Sequence, residues 1–139
     1  MIVLDTNVLS ALMLDEPLHD IVAWLDRQPR ASVWTTTITI FEMRAGLVSL
    51  PAGRRRTTLE DKLQILVRER MERRILSFDA PAAEEAAILM GERRRSGKPR
   101  DLRDTMIAGI ALSQNATLAT RNARHFDDLR IPVIDPWQS

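Results

Sequence analysis

The sequence predicts an α/β fold with a central, mostly parallel sheet flanked by helices, and three observations carry this. Short apolar or β-branched runs recur at 1–4, 31–36, 117–120 and 131–134, and stretches of helical spacing lie between them. Such alternation implies parallel strands joined by right-handed crossovers. The opening run Met1-Ile2-Val3-Leu4 is apolar throughout, the pattern of a strand covered on both faces and therefore central. Polar groups then follow the runs directly: Asp5-Thr6-Asn7 after the first, Arg121-Asn122 after the third. Open parallel sheets bind ligands outside the carboxyl ends of their strands.

Taken in order, Val8, Leu9, Ala11, Leu12 and Met13 begin a helix immediately after Asn7, and Asp15-Glu16-Pro17 breaks it. Leu18, Ile21, Val22, Trp24 and Leu25 form a second helical stripe ending near Gln28-Pro29. Residues 31–36 read as a strand. Thr37 is the expected cap of the next helix, on which Ile38, Phe41, Ala45 and Val48 recur as a buried stripe. After the Pro51-Ala52-Gly53 turn an amphipathic helix is expected over 57–73, then a short extended stretch over 74–78. Asp79-Ala80-Pro81 punctuates the chain ahead of an alanine-rich helix over 82–95. Gly97 and Pro99 stop that helix. Residues 101–112 read as a tightly packed helix with small residues on one side, and Asn115-Ala116 turns into the strand 117–120. The last strand is 131–134. The chain is expected to form one domain over 1–139.

Composition narrows the function. With 45% hydrophobic and 28% charged residues the chain is an ordinary globular sequence, and 139 residues suffice for one core. The absence of cysteine excludes a disulfide scaffold and thiol catalysis. The opening apolar run is too short for a signal peptide or a membrane span, and no basic segment precedes it. A soluble cytoplasmic protein is expected. Net charge is only +1, but the cations are almost all arginine and cluster at 54–56, 73–74 and 93–95, followed by Lys98, Arg100 and Arg103. Arginine grips phosphates with a fork of donors. Most of these arginines are nevertheless expected on solvated helix faces, paired with acids such as Glu69, Glu72 and Glu92.

Three acids fall at comparable positions: Asp5 after the first strand, Glu42 just after the second, and Asp104 in the first turn of a late helix. Asn122 follows another strand. Asp5 and Asp101 can each be read as helix caps, and Glu42 as an exposed acid paired with Arg44. Asp104 is different, because it lies on the line of Ala108 and Ala111 and so faces the packed side. Carboxylates that converge repel and raise one another's pKa. A hard divalent ion with oxygen ligands, Mg²⁺ or Mn²⁺, removes that penalty, and such a site can activate water for phosphoryl displacement. His19, near a helix start, and His125, in a loop, read as structural or exposed.

The pieces Ile2-Val3-Leu4-Asp5-Thr6-Asn7, Thr39-Ile40-Phe41-Glu42, Asp104-Thr105-Met106-Ile107-Ala108 and Leu118-Ala119-Thr120-Arg121-Asn122 with Phe126 occur in this order. In this combination the chain resembles the PIN-domain ribonucleases, specifically the VapC/FitB-type toxins of bacterial toxin–antitoxin pairs. The resemblance covers essentially the whole chain and implies a PIN-like three-layer fold. It implies that Asp5, Glu42 and Asp104 are the catalytic acids and metal ligands, with Thr6 orienting the first carboxylate. The fourth acidic position of many relatives falls at Asn122, a weaker neutral ligand, and Asp127 is a poorer substitute beyond Phe126. Glu42 would either ligate the metal through water or help activate the nucleophile. Arg44, Lys98, Arg121 and Arg124 are the phosphate contacts expected around the groove.

The resemblance further implies Mg²⁺ as cofactor with Mn²⁺ as substitute, and metal-activated water attacking RNA, often tRNA, to leave 5′-phosphate and 3′-hydroxyl ends. It implies a cognate antitoxin lying across the groove, a homodimer, and contact with DNA only through the antitoxin. Two other classes compete. An aspartyl-phosphate phosphatase with Asp5 as nucleophile would want a second acid where Asn7 stands. A PIN-like module that binds RNA or a partner without cutting would tolerate loss of a core acid, and all three acids are present.

Overall fold

A computed structural model describes residues 1–138; Ser139 lies outside them. Five strands form one all-parallel sheet, β1 (Ile2–Leu4), β2 (Val33–Thr36), β3 (Ile75–Leu76), β4 (Thr117–Ala119) and β5 (Val133–Ile134), in the order β3-β2-β1-β4-β5. The opening run is thus the central strand, with Val3 opposite Trp34 on one side and Leu118 on the other. Six helices connect the strands: α1 (Thr6–Ala11), α2 (His19–Asp26), α3 (Thr37–Val48), α4 (Arg54–Ile65), α5 (Ala80–Arg95) and α6 (Leu102–Ser113).

Alternate residues of the strands enter different cores, as a doubly covered sheet requires. Val3 and Leu118 pack with Leu89, Ile107, Ala108, Ala111 and Phe126, beneath α5 and α6. Leu4, Val33 and Ala119 pack with Val8, Leu9, Ile21, Trp24, Leu25 and Met71. The small residues of α6 serve two neighbours. Ala108 and Ala111 face the sheet core. Gly109 meets α5 so closely that an added Cβ would lie 2.6 Å from the Ala82 carbonyl oxygen.

Helix ends mostly follow local chemistry. The α5 stop has Gly97 at φ +68°, with the Lys98 amide on the Arg93 carbonyl and the Gly97 amide on the Arg94 carbonyl. Asn115, at φ +50°, closes α6 in the same way. Four expectations need correction. The α3 cap is Thr36, not Thr37, because the Thr36 hydroxyl accepts the Thr39 amide. The helix expected over 57–73 begins at Arg54, loosens into a π turn over Leu66–Arg70 and ends in left-handed Glu72 and Arg73. Residues Arg30–Ser32 form a 3-10 turn, leaving the second strand to begin at Val33. On α3 the buried residues are Ile38, Thr39 and Leu47, whereas Phe41 and Val48 are exposed.

Most arginine partners are distant in sequence rather than one helical turn away. Arg70 pairs with Asp26, Arg130 with Glu85 and Arg30 with Glu72; Arg56–Glu60 is an i,i+4 pair. No helix among the described residues is long and apolar enough to cross a membrane.

Candidate active site

The site lies where β1, β2 and β4 end and α1, α3 and α6 begin. Asp5 directly follows β1 and is 4% exposed. Its amide extends the ladder to the Ala119 carbonyl at 2.9 Å, which fixes the backbone that carries the carboxylate. Oδ1 accepts the Thr6 amide and Oδ2 accepts the Thr120 hydroxyl, each at 2.8 Å. The two readings of Asp5 therefore coexist: it caps α1 and presents a buried carboxylate at the strand end. Burial pushes its pKa up, with Glu42 adding repulsion, and the two hydrogen bonds partly offset this.

Glu42 projects from the second turn of α3. Its Oε1 accepts the Thr6 hydroxyl at 2.9 Å, and that hydroxyl also lies 3.0 Å from the Thr39 hydroxyl. Arg44, the partner in the alternative reading of Glu42, is exposed; the guanidinium beside Glu42 belongs to Arg103, with Nη1 3.8 Å from Oε2. Thr6 was expected to orient the first carboxylate. Its amide does so, while its side chain orients Glu42.

Asp104 stands in the first turn of α6, whose N-cap is Asp101. The Asp101 Oδ1 accepts the Arg103 and Asp104 amides at 2.9 and 3.1 Å. Asp104 is pushed up to about 6, first by burial and then by the negative charges of Asp5, Asp101 and Glu42; His125 pulls the other way. The His125 Nδ1 lies 3.9 Å from Asp104 Oδ2. The structure therefore brings Asp5, Glu42 and Asp104 into one electrostatic neighbourhood.

Several participants escape the sequence reading. Thr120 is fully buried and forms a hub: its hydroxyl donates to Asp5 and accepts the Asn122 amide at 3.0 Å and the Asn7 side chain at 3.4 Å. Asn7 Oδ1 accepts the Arg121 amide at 3.2 Å, so the two strand-end turns are stitched together. Arg93, 3% exposed, forks onto Asp128 and donates to the Thr105 hydroxyl and the His125 carbonyl, tying α5, α6 and the 3-10 turn Ala123–Phe126 behind the site. Polar residues at strand ends are a weak signal for such roles, because capping and solubility select the same types.

The remaining expected residues are less engaged. The Asn122 amide is held by Thr120 and the residue is exposed. Asp127 pairs with Arg100 at 3.1 Å and is thereby committed elsewhere. Arg121 lies over the Trp137 ring, 5.2 Å from its centroid. Arg44, Lys98 and Arg124 are exposed. Lys98 lines a small cavity with Arg93, Arg100, Asp127 and Asp128 behind α5.

The donor set suits a hard cation. It is all oxygen, and Asp5 and Asp104 hold charge at a cost that a cation would relieve. Among the described residues, no three His, Cys, Asp or Glu side chains converge into a ready-made cage. Such a site fits an ion that takes one or two carboxylates and retains its own waters, which is the habit of Mg²⁺.

A second feature lies away from the acids. Leu12, Leu14, Pro17, Val22, Ile65 and Leu66 line an apolar groove of about 560 Å³ between the α1–α2 connection and α4. Lys62, Arg30 and Arg70 border it, and a neighbouring hollow adds Arg54 and Arg55.

Comparison with known proteins agrees with this geometry. The PIN domain model matches residues 2–131. VapC ribonuclease Y4jK of Sinorhizobium fredii is 38% identical over 138 residues, which cover 99% of each chain. Toxin FitB of Neisseria gonorrhoeae is 34% identical over 137 residues, again 99% of each. The structure of FitAB bound to a DNA fragment superposes with a TM-score of 0.88 at 34% identity, covering 99% of this chain and 96% of that one. The chain belongs to the PIN-domain family and, within it, to the group that includes the VapC and FitB toxins.

Proposed function

We propose that this protein is a metal-dependent endoribonuclease and the toxin of a toxin–antitoxin pair. The observation that carries the reading is the electrostatic coupling of Asp5, Glu42 and Asp104 at the carboxyl ends of the central strands, where burial first, and then the charges of Asp5, Asp101 and Glu42, push the Asp104 carboxyl up to about 6. Bound Mg²⁺, or Mn²⁺ in its place, would neutralise these carboxylates, activate water and stabilise charge on the scissile phosphate. Asp5 and Asp104 are the proposed ligands. Thr6 and Thr39 hold Glu42 ready to take part in ligation or in activating water, and Thr120 holds Asp5. Asn122 is the candidate for a further neutral ligand. Attack on phosphorus breaks the bond to the 3′ oxygen and yields 5′-phosphate and 3′-hydroxyl ends. Arg44, Lys98, Arg121 and Arg124 are proposed phosphate contacts.

The antitoxin is proposed to lie across the acidic groove and to seat a further segment in the apolar groove. The lining of the apolar groove, with Lys62, Arg30 and Arg70 set beside Asp15 and Glu69 at the rim, suits the apolar face of an amphipathic helix, the helix-in-groove mode of recognition. DNA is proposed to be reached only through that partner; a relative was solved as FitAB bound to a DNA fragment. A second copy of this chain is the proposed cover for Phe41 and Val48, large apolar residues that share one face of α3 and are left open in a single chain. Sedimentation of Phe41→Glu tests this, the expected result being a shift from dimer to monomer.

The decisive experiment is digestion of total cellular RNA by the purified, antitoxin-free protein with Mg²⁺ or Mn²⁺ against EDTA, beside Asp5→Asn and Asp104→Asn. Metal-dependent cutting at a few sites, lost in both variants, is the expected result. Cutting that survives both substitutions overturns the reading.

A further inference from the structure

Arg103 is set apart from the other arginines of this chain by where it stands, beside the acids with its guanidinium unbonded among the described residues. It lies on the first turn of α6, next to Asp104, and reaches toward α3. Its Nη1 is 3.8 Å from Glu42 Oε2 and its Nε is 4.0 Å from Asp101 Oδ1, both beyond hydrogen-bond length. Among the described residues, no hydrogen bond engages its guanidinium, whereas Arg56, Arg70, Arg74, Arg93, Arg100 and Arg130 each donate at least one. Its side chain is 52% exposed. A full set of donors is thus kept at the rim of the acidic site, attracted by two carboxylates and bound by neither.

Charge gives this arrangement a purpose. Three ionised acids and a divalent ion leave the site one charge negative, and a phosphodiester brings another negative charge toward it. One guanidinium beside Glu42 balances the site before the substrate arrives. Arginine's planar fork also matches two non-bridging phosphate oxygens. Glu42 attracts it without a hydrogen bond, since Oε1 accepts from Thr6 and Oε2 lies 3.8 Å away.

We propose that Arg103 is the phosphate clamp of this site: it turns from Glu42 to grip the phosphate being cut, and it contributes both to RNA binding and to the cleavage step. The proposal rests on the nuclease reading for its second half only, since the gripping of RNA can be measured without cutting.

The test uses a fluorescein-labelled single-stranded RNA oligonucleotide and the full chain. Binding is followed by anisotropy across a salt series in an Asp5→Asn background with Mg²⁺, and single-turnover cleavage is followed in the otherwise unaltered protein. Arg103→Ala is expected to lower the slope of log affinity against log salt by about 0.7, the loss of one phosphate contact, and to slow cleavage ~100-fold. Arg103→Lys is expected to restore the slope but little of the rate, because the charge returns without the fork. Arg27→Ala, an exposed cation just beyond α2 and before the amino end of β2, serves as the control for general charge. Slope and rate both unchanged in Arg103→Ala overturn the clamp while leaving the nuclease reading intact. An Arg103-dependent slope in a wild type that cuts no RNA sustains the clamp and overturns the nuclease. A slope change equal to that of Arg27→Ala, or a wild type that binds no RNA, overturns the clamp.

Discussion

The same burial and repulsion that suit Asp104 to a cation should cost the metal-free protein stability, and Asp104→Asn measures that cost. The folded state holds the Asp104 carboxyl at about 6 against an ordinary value of 3.8. A raised value means that the folded protein binds this proton more tightly than the unfolded chain does. Below about pH 4 both states are protonated and the group is neutral to stability. Between about pH 4 and pH 6 the unfolded chain gives up this proton while the folded state still holds it, so the penalty grows across that window, and above about pH 7 it is complete. The gap corresponds to ~3 kcal/mol. Asp104 is partly open to solvent, so screening leaves about 1 kcal/mol. Asparagine preserves the shape and the amide contact to Asp101 and removes the charge. In EDTA at pH 8, Asp104→Asn should therefore be about 1 kcal/mol more stable than wild type, or about 3 °C higher in melting temperature. Near pH 4.5 the difference should shrink toward zero. Denaturant melts at the two pH values supply the measurement. Asp5 carries a penalty of the same sign in both proteins, so the difference isolates Asp104. An Asp104→Asn protein no more stable than wild type at pH 8, or a gap that does not change with pH, would refute the reasoning.

Three further outcomes follow from the same structure. Mg²⁺ at pH 8 should raise the melting temperature of wild type but not of an Asp5→Asn, Asp104→Asn double variant, with calorimetry as the check. Thr120→Val leaves a buried carboxylate and the Asn122 amide without their shared partner; it should cost about 2 kcal/mol in denaturant unfolding and reduce cleavage, and a neutral result would show that water or Asn7 replaces the hydroxyl. Gly109→Ala places a methyl group against the Ala82 carbonyl and Ala86, so α5 and α6 must separate at a cost of about 1–3 kcal/mol; an unchanged melting temperature would mean that α5 shifts freely.

The frame of the protein is legible in its sequence because strand position and hydrophobic pattern share one cause. An apolar run such as Ile2-Val3-Leu4 can be satisfied only between two other strands and under helices, and it lies there. The three acids are legible for a related reason: each follows the strand end or begins the helix that an open sheet turns toward its ligand. The outward face of α3 was less so. Phe41 and Val48 have the spacing of a core stripe, and hydrophobic periodicity cannot distinguish a surface buried within the chain from one left for another molecule. The end of the helix after Ile65 was also hidden, because Leu66–Arg70 keeps helical composition while its hydrogen bonds slip to a wider register. Arg103, His125 and Thr120 join the site through contacts spanning 21 to 115 residues, as the Thr120–Asp5 bond and the His125–Asp104 approach illustrate. Local pattern contains no trace of such distances.

The choice of hydroxyls around the acids follows from what a cation site requires. An arginine bonded to Asp5 or Glu42 would orient the carboxylate and cancel its charge together, leaving little for a divalent ion to neutralise. A threonine donates one hydrogen bond, fixes one oxygen and adds no charge. Thr120 does this for Asp5, and Thr6, set by Thr39, does it for Glu42. The groups that approach from outside are held at arm's length, the Arg103 guanidinium at 3.8 Å from Glu42 and the His125 ring at 3.9 Å from Asp104. The one fully buried guanidinium nearby, Arg93, is spent on Asp128, Thr105 and the His125 carbonyl, one layer behind the acids. Neutral groups thus set the geometry at the centre and charged groups brace it from outside, so the acids stay both ordered and negative.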